Sequence, residues 1–442
     1  MDKNITLEQL ETYEKAFDGD LAKKVAMRAV TNCGVVKAAT NSEVYRQDRH
    51  QFSVSLEQGK ITNQKQSGRC WMFAALNTMR FAVMKKLDLD TFELSQNYTA
   101  FWDKFEKANY MLESIIDLAD RPTDDRTVCH ILSEGVGDGG QWDMFVNLVE
   151  KYGVVPKSAM EETYQSSNTG AMNALLNSRL RLCAAKLRET VRNGGDAHEE
   201  KKEMMADIYS FLCMCFGKPP KTFDFEWRDK DGNFYRDCGL TPKQFYDKYI
   251  DAKVDDYISL INAPTADKPY HKSYSVKYLG NVKEGRPVKY VNLPIEELKK
   301  AAIAQMQAGE PVWFGCDVGK RGSRGDGILD LDIYNLDGLF GTHFGMNKAE
   351  RLEYGQSLMT HAMVFQGVNL DENGKPNRWR VENSWGEDAC KDGYYVMTDE
   401  WFNEYTYQIV VNKKYLSQEI LDIYASEPTM LEPWDPMGSL AE

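Results

Sequence analysis

The chain has 442 residues, 42% hydrophobic and 27% charged, so it can bury a substantial core without help from a disulfide scaffold. Lys and Arg number 54 against 67 Asp and Glu, and the resulting net charge of −13 opposes non-specific contact with nucleic acid or anionic membrane. The 9 cysteines are scattered and lack the paired CxxC spacing of a zinc site; no metal or cofactor is expected, and most read as buried reduced thiols.

In chain order, the N-terminus has no apolar h-region and reads as a helix and not a signal peptide. Thr6 and Gln9 have capping-box spacing, and Ile5, Leu10, Tyr13 and Phe17 can share one face. Residues 52–66 are polar and loop-like. From Cys70 the pattern turns helical, with Phe73, Leu76, Asn77, Arg80, Phe81 and Met84 dividing into an apolar and a polar face. The apolar stretch Trp71–Met84 is too short and too polar to cross a bilayer, so no membrane contact is expected.

A further helix is predicted from about Gln141 to Tyr152, stopped by Gly153 and followed by Pro156. Residues 170–217 hold two helical stretches joined by Asn193-Gly194-Gly195-Asp196, read as an insertion with its own packing. A β-hairpin turning at Asp231-Gly232 follows, and Thr241-Pro242 starts another helix. The last third is mainly strand, at 311–316, 361–370, 378–383, 393–397 and 407–411. Helices first and antiparallel strands later make an α+β arrangement.

Chemistry concentrates around Cys70, where a loop containing Gly68 runs into a helix. A thiol at a helix N-terminus sits at the positive end of the dipole, which favours thiolate, and an adjacent imidazole favours it further. Gln64 can return its amide to the site and form an oxyanion hole with the Cys70 backbone N–H. His361, at the start of a strand, supplies the imidazole. Asn383 can accept its N–H and orient the ring without adding charge, and Trp385 can keep water off that bond. A lone Cys at a helix start is usually structural; this set in this order makes a nucleophile the better reading.

These residues resemble the papain family of cysteine peptidases, in the order Gln, Cys, His, Asn, Trp and in the Cys70-Trp71-Met72-Phe73-Ala74 and Asn383-Ser384-Trp385-Gly386 blocks. Gly137-Asp138-Gly139-Gly140-Gln141-Trp142 is similar to that family's substrate strand, which implies that Asp138, Gly139 and Gly140 face bound peptide. Ser67 stands where secreted members carry a Cys, which agrees with a reducing compartment and a cytoplasmic location. The 291 residues from Cys70 to His361 exceed the separation usual in secreted members, about 130–150 residues.

The long insertion, PVWFGCDVGK from Pro311 and the ending from Glu432 to Glu442 are similar to the bleomycin hydrolase and aminopeptidase C branch. That resemblance implies a papain-like fold, a helical subdomain plus an antiparallel β-barrel-like subdomain, with a helical insertion and a C-terminal arm. It divides the chain into an N-terminal helical segment (1–50), a helical subdomain with the nucleophile (51–165), an oligomerising insertion (166–265), a β-rich subdomain with His361 and Asn383 (266–425), and the arm (426–442). It further implies a homohexamer and an aminopeptidase acting on peptides with a free N-terminus. The arm lies in the cleft, with the terminal carboxylate of Glu442, or of Ala441 after self-processing, meeting the substrate amine. The rival readings are an endopeptidase of the same branch with a displaced arm and, more remotely, a transglutaminase-like acyl transferase, a class that uses Asp at the position of Asn383. A non-enzymatic scaffold is the bland alternative.

Overall fold

The structure is a computed structural model in which residues 3–46, 49–56, 59–251 and 253–441 are described. Helix α1 (Leu7–Gly19) opens with the expected reciprocal cap: the Gln9 backbone N–H donates to the Thr6 hydroxyl and the Thr6 N–H donates to the Gln9 side chain. α2 (Leu21–Cys33) follows at once, capped by Asp20. Neither helix buries a side chain, and Leu7 and Leu21 are 80% and 75% exposed. The apolar stripe expected along α1 exists, but it faces away from the body of its own chain.

Helix α3 (Cys70–Leu87) is the central helix. Its expected polar face is not solvated: Asn77 and Arg80 are buried and bind the carboxylate of Glu382. Around α3 lie α4 (Gln96–Asp117), α5 (Arg126–Glu134) and α6 (Trp142–Tyr152). Gln141 is the N-cap of α6, and Gly153 ends it at φ 71°, a left-handed angle that suits glycine. The helical hairpin forms as α7 (Gly170–Arg192) and α8 (Ala197–Phe216). It does not pack as its own unit. Leu176, Leu180, Leu187, Ile208, Leu212 and Phe216 join the same hydrophobic cluster as α3, α4 and α6. α9 (Pro242–Tyr249) then starts at Thr241 with a capping box completed by Gln244.

Strand β1 (Val54–Ser55) precedes α3, and β2 (Phe223–Arg228) and β3 (Phe234–Leu240) form the separate hairpin. Its turn is not the two-residue type expected at Asp231-Gly232. Residues 229–233 form the loop, and the Asp229 carboxylate accepts from the Asn233 backbone and side chain and from the Tyr235 hydroxyl.

The main sheet contains β4 (Tyr257–Ile261), β5 (Lys272–Val276), β6 (Lys289–Asn292), β7 (Val312–Cys316), β8 (Gly322–Ser323), β9 (Ile328–Leu329), β10 (His361–Leu370), β11 (Pro376–Glu382), β12 (Tyr394–Thr398), β13 (Thr406–Asn412) and β14 (Thr429–Leu431). The order across the sheet is β14-β5-β6-β4-β13-β7-β10-β11-β12-β9-β8, with β1 paired to β10. Most pairs are antiparallel; β4–β6, β5–β14 and β9–β12 are parallel. One face, with helix α10 (Ile295–Gln307), encloses a second core around Phe314, Phe365, Trp379, Trp401 and Ile409. The other face meets the helical core, which takes in Trp313, Ala362 and Val364 from the sheet. Cys70 heads the central helix of the helical half and His361 opens the central strand β10, so both lie at the junction of the two halves.

Candidate active site

The loop before Cys70 is fixed at several points. The Gln64 N–H donates to the Ser384 carbonyl at 2.8 Å, and the Gln64 amide accepts from the Ser384 hydroxyl at 2.6 Å. Its Nε2 donates to the Ser67 carbonyl at 2.6 Å, leaving the amide a second N–H. Ser67 closes the loop by donating to the Gln64 carbonyl and accepting from Arg69 Nε. The Arg69 guanidinium makes a two-pronged pair with Glu162, at 3.1 and 2.8 Å. No side chain caps the N-terminus of α3, so its first backbone N–H groups are not consumed by a cap. Cys70 itself is fully buried, and none of the nine cysteines is in a disulfide.

On the sheet side, His361 pairs across the ladder with Cys316 of β7, and β11 delivers Asn383 at its end. His361 Nε2 lies 2.9 Å from Asn383 Oδ1, which also accepts from the Ser384 N–H at 2.8 Å. An amide oxygen can only accept, so Nε2 carries the proton and Nδ1 remains to exchange one with a thiol. Trp385 lies 4.9 Å from the imidazole, centroid to centroid, and tilted by 37°. Burial is the largest influence on His361 and holds its pKa down at about 4; the Asn383 bond works against this and the Arg324 charge adds to it.

The segment 137–141 forms the opposite wall. Asp138 is buried and its carboxylate is fully engaged. It pairs with Lys104 at 2.7 Å and accepts from the Gly68 N–H, the Thr169 hydroxyl and the Asn173 amide. Burial alone would raise its pKa; the Lys104 charge and these donors outweigh that and hold it well below the carboxylate range. The structure thus places Asp138 behind the wall, holding the loop before Cys70 through Gly68, where the sequence reading put it against peptide. Lys107 donates to the Gly139 carbonyl at 2.6 Å and pairs with Asp103. Trp71 Nε1 donates to the Asp138 carbonyl at 2.7 Å, and its ring lies under Gly140, where a Cβ would come within 2.4 Å of it. Only glycine fits there.

The C-terminal arm crosses this cleft. Arg126 lies 3.8 Å over the Trp434 ring, Lys268 pairs with Asp435 at 2.9 Å, and the Tyr290 hydroxyl donates to the Met437 carbonyl at 3.1 Å. Ser439 bridges the halves: its carbonyl accepts from Gln141 at 2.6 Å and its hydroxyl donates to the Met359 carbonyl at 2.6 Å. Ala441, fully buried, forms an antiparallel bridge with Gly140. Glu442 lies outside the described residues. Among the described residues there is no cluster of three or more metal-binding side chains, and no helix is long and apolar enough to cross a membrane.

Sequence reasoning missed Arg324, and also Lys104, Lys107 and Glu162, which meet Asp138, the Gly139 carbonyl and Arg69 far along the chain. His130 meets Trp434 edge-on at 6.3 Å. A buried lysine in an otherwise amphipathic helix was the available signal for Lys104, but exposure cannot be read from one charge.

A thiol at a helix start, an imidazole fixed by an amide and a shielding indole define a papain-type cysteine peptidase. The chain belongs to the Peptidase C1-like family, whose sequence profile matches residues 4–438. It is 51% identical to "Aminopeptidase C" of Listeria innocua over 442 residues, 100% of both chains. It is 46% identical to human "Bleomycin hydrolase" over 402 residues, 89% of this chain and 88% of the relative. The crystal structure of pepw from Lactobacillus rhamnosis superposes with a TM-score of 0.98 at 49% identity, covering both chains fully.

Proposed function

We propose that this cysteine-type aminopeptidase removes N-terminal residues from peptides through a thioester on Cys70. The bridge between Gly140 and Ala441 carries the reading, because the arm's end occupies the strand position beside the wall that a longer substrate would need. A peptide can then enter only with its first residue against the arm, its ammonium meeting the terminal carboxylate of Glu442, or of Ala441 if Glu442 is lost.

His361 Nδ1 takes the Cys70 proton as sulfur attacks the scissile carbonyl carbon. The imidazolium, disfavoured by burial beside a neutral thiol, is favoured beside the thiolate. The Cys70 N–H and the second N–H of Gln64 stabilise the oxyanion. Collapse breaks the C–N bond, and His361 returns its proton to the departing amine. Water, deprotonated by His361, attacks the thioester, frees the amino acid and restores the thiol. Gly139 and Gly140 serve the substrate backbone, while Asn383 and Trp385 keep the imidazole oriented and dry.

The exposed apolar stripes of α1 and α2 support a homohexamer, and thiols outside any disulfide support a cytoplasmic location. The test compares fluorogenic substrates of one amino acid, one with a free amine and one N-blocked, with and without thiol alkylation. Wild-type protein is expected to turn over only the free-amine compound and to lose that activity on alkylation. A variant lacking residues 439–442 should gain turnover of the blocked compound. Wild-type preference for the blocked substrate would refute the reading in favour of an endopeptidase.

A further inference from the structure

We infer that Arg324 is a specificity-determining residue, a cation on the leaving-group side that recognises the C-terminal carboxylate of short peptides. The inference rests on the aminopeptidase reading, which sets the direction of the substrate: its amine at the arm, its scissile carbonyl at Cys70, its departing amine at His361. Trp385 covers His361, and Arg324 covers Trp385, with the guanidinium carbon 3.8 Å from the ring centroid.

Arg324 is solvent-exposed and forms no salt bridge with a described residue. Its neighbour Asp326 binds the Ser323 hydroxyl. The backbone beneath it is fixed, however. Residues 324–327 are the turn between β8 and β9, closed by Gly327 N–H to Ser323 O at 2.9 Å. The Arg324 carbonyl accepts from the Tyr395 hydroxyl at 3.1 Å and from the Cys390 thiol at 3.0 Å. A cation stacked on the indole that shields the imidazole, on a pinned turn and without an anionic partner among the described residues, is arranged to receive an anion from the cleft.

The lengths fit a short leaving group. Ring separations of 4.9 and 3.8 Å put the guanidinium within 8.7 Å of the His361 ring. The carboxyl carbon of a single departing amino acid lies about 2.5 Å from its nitrogen, and each further residue adds at most about 3.5 Å. The free carboxylates of di- and tripeptides therefore fall within reach of the guanidinium fork, and those of long peptides extend beyond it.

The experiment measures kcat/KM of the full-length protein for a dipeptide and a tripeptide and for their C-terminal amides, following release of the first amino acid. The acid-to-amide ratio is the readout. Both members of each pair use the same Cys70 and His361, so a loosened Trp385 or a shifted imidazole cancels. The wild type should favour the acids about tenfold, a preference that shrinks as added salt screens an exposed pair. Arg324→Gln should bring the ratio to about one, and Arg324→Lys should keep a part of it. A wild-type ratio near one, or a preference that survives Arg324→Gln, overturns the inference. Absence of turnover on every free-amine peptide would instead sink the aminopeptidase reading and this inference with it; a changed ratio needs turnover, so the two failures are distinguishable.

Discussion

Gly140→Ala probes the wall of the cleft with a single methyl group. Gly140 does not occupy the left-handed region, so alanine meets no backbone strain, and the whole effect is steric. The added Cβ would stand 2.4, 2.5 and 2.6 Å from three atoms of the Trp71 ring, against an ordinary contact that begins at 3.4 Å, so about 1 Å of movement is required. Trp71 cannot easily yield. It is fully buried, its Nε1 is tied to the Asp138 carbonyl at 2.7 Å, and its own carbonyl accepts from Trp313 Nε1 at 3.0 Å. Overpacking of this kind costs about 1–3 kcal/mol, so Tm should fall by a few degrees. Activity should suffer more. Either the wall moves into the cleft, or Trp71 drags on the adjacent Cys70, and an ångström of misplacement costs on the order of 100-fold in kcat/KM. Steady-state kinetics on a free-amine substrate, with scanning calorimetry, measure both. Gly170→Ala at the first turn of α7, where a Cβ meets nothing within 4 Å, is the control and should leave both unchanged or raise Tm slightly. Retention of kcat/KM within about threefold in Gly140→Ala would refute the tight-wall argument.

Two further substitutions test the buried charges. Arg80→Met leaves the Glu382 carboxylate buried with only the Asn77 and Gln366 amides as donors, so it should cost about 3–5 kcal/mol, read as a large fall in Tm; a loss under about 1 kcal/mol would mean that Glu382 is already neutral. His361 tests the pH dependence. Its folded pKa of about 4 lies below the ordinary 6.5, so between those values the unfolded chain binds more protons and stability falls as pH drops. That removes about 2 kcal/mol by pH 5. His361→Gln lacks this loss, so its Tm should gain on the wild type between pH 7.5 and 5; parallel Tm curves would show that the imidazole is not held neutral.

What was legible in the sequence divides along a physical line. Caps and turns are local: Thr6 with Gln9, Thr241 with Pro242 and Gly153 each act within a few residues, and each stands where the spacing put it. Strands with long apolar runs, such as residues 312–316 and 361–370, declared themselves in the same way. Strands β4, β5 and β6 did not, being four or five residues long and buried mostly on both faces, so no alternation marks them. The pairing of His361 with Asn383 beside Trp385 was readable because residue type limits what each can do. The groups that hold them were not. Arg80 meets Glu382 across 302 positions and Asp138 meets Gly68 across 70, and periodicity says only that such side chains lie on one face of a helix or at a turn, not that a carboxylate waits there. The same limit explains the insertion and α1. Apolar stripes predict that a helix is covered, and for α7 and α8 the cover is the central core of this chain. α1 and α2 bury no side chain against the described residues, so a similar pattern stands for internal packing in one case and for an exposed surface in the other.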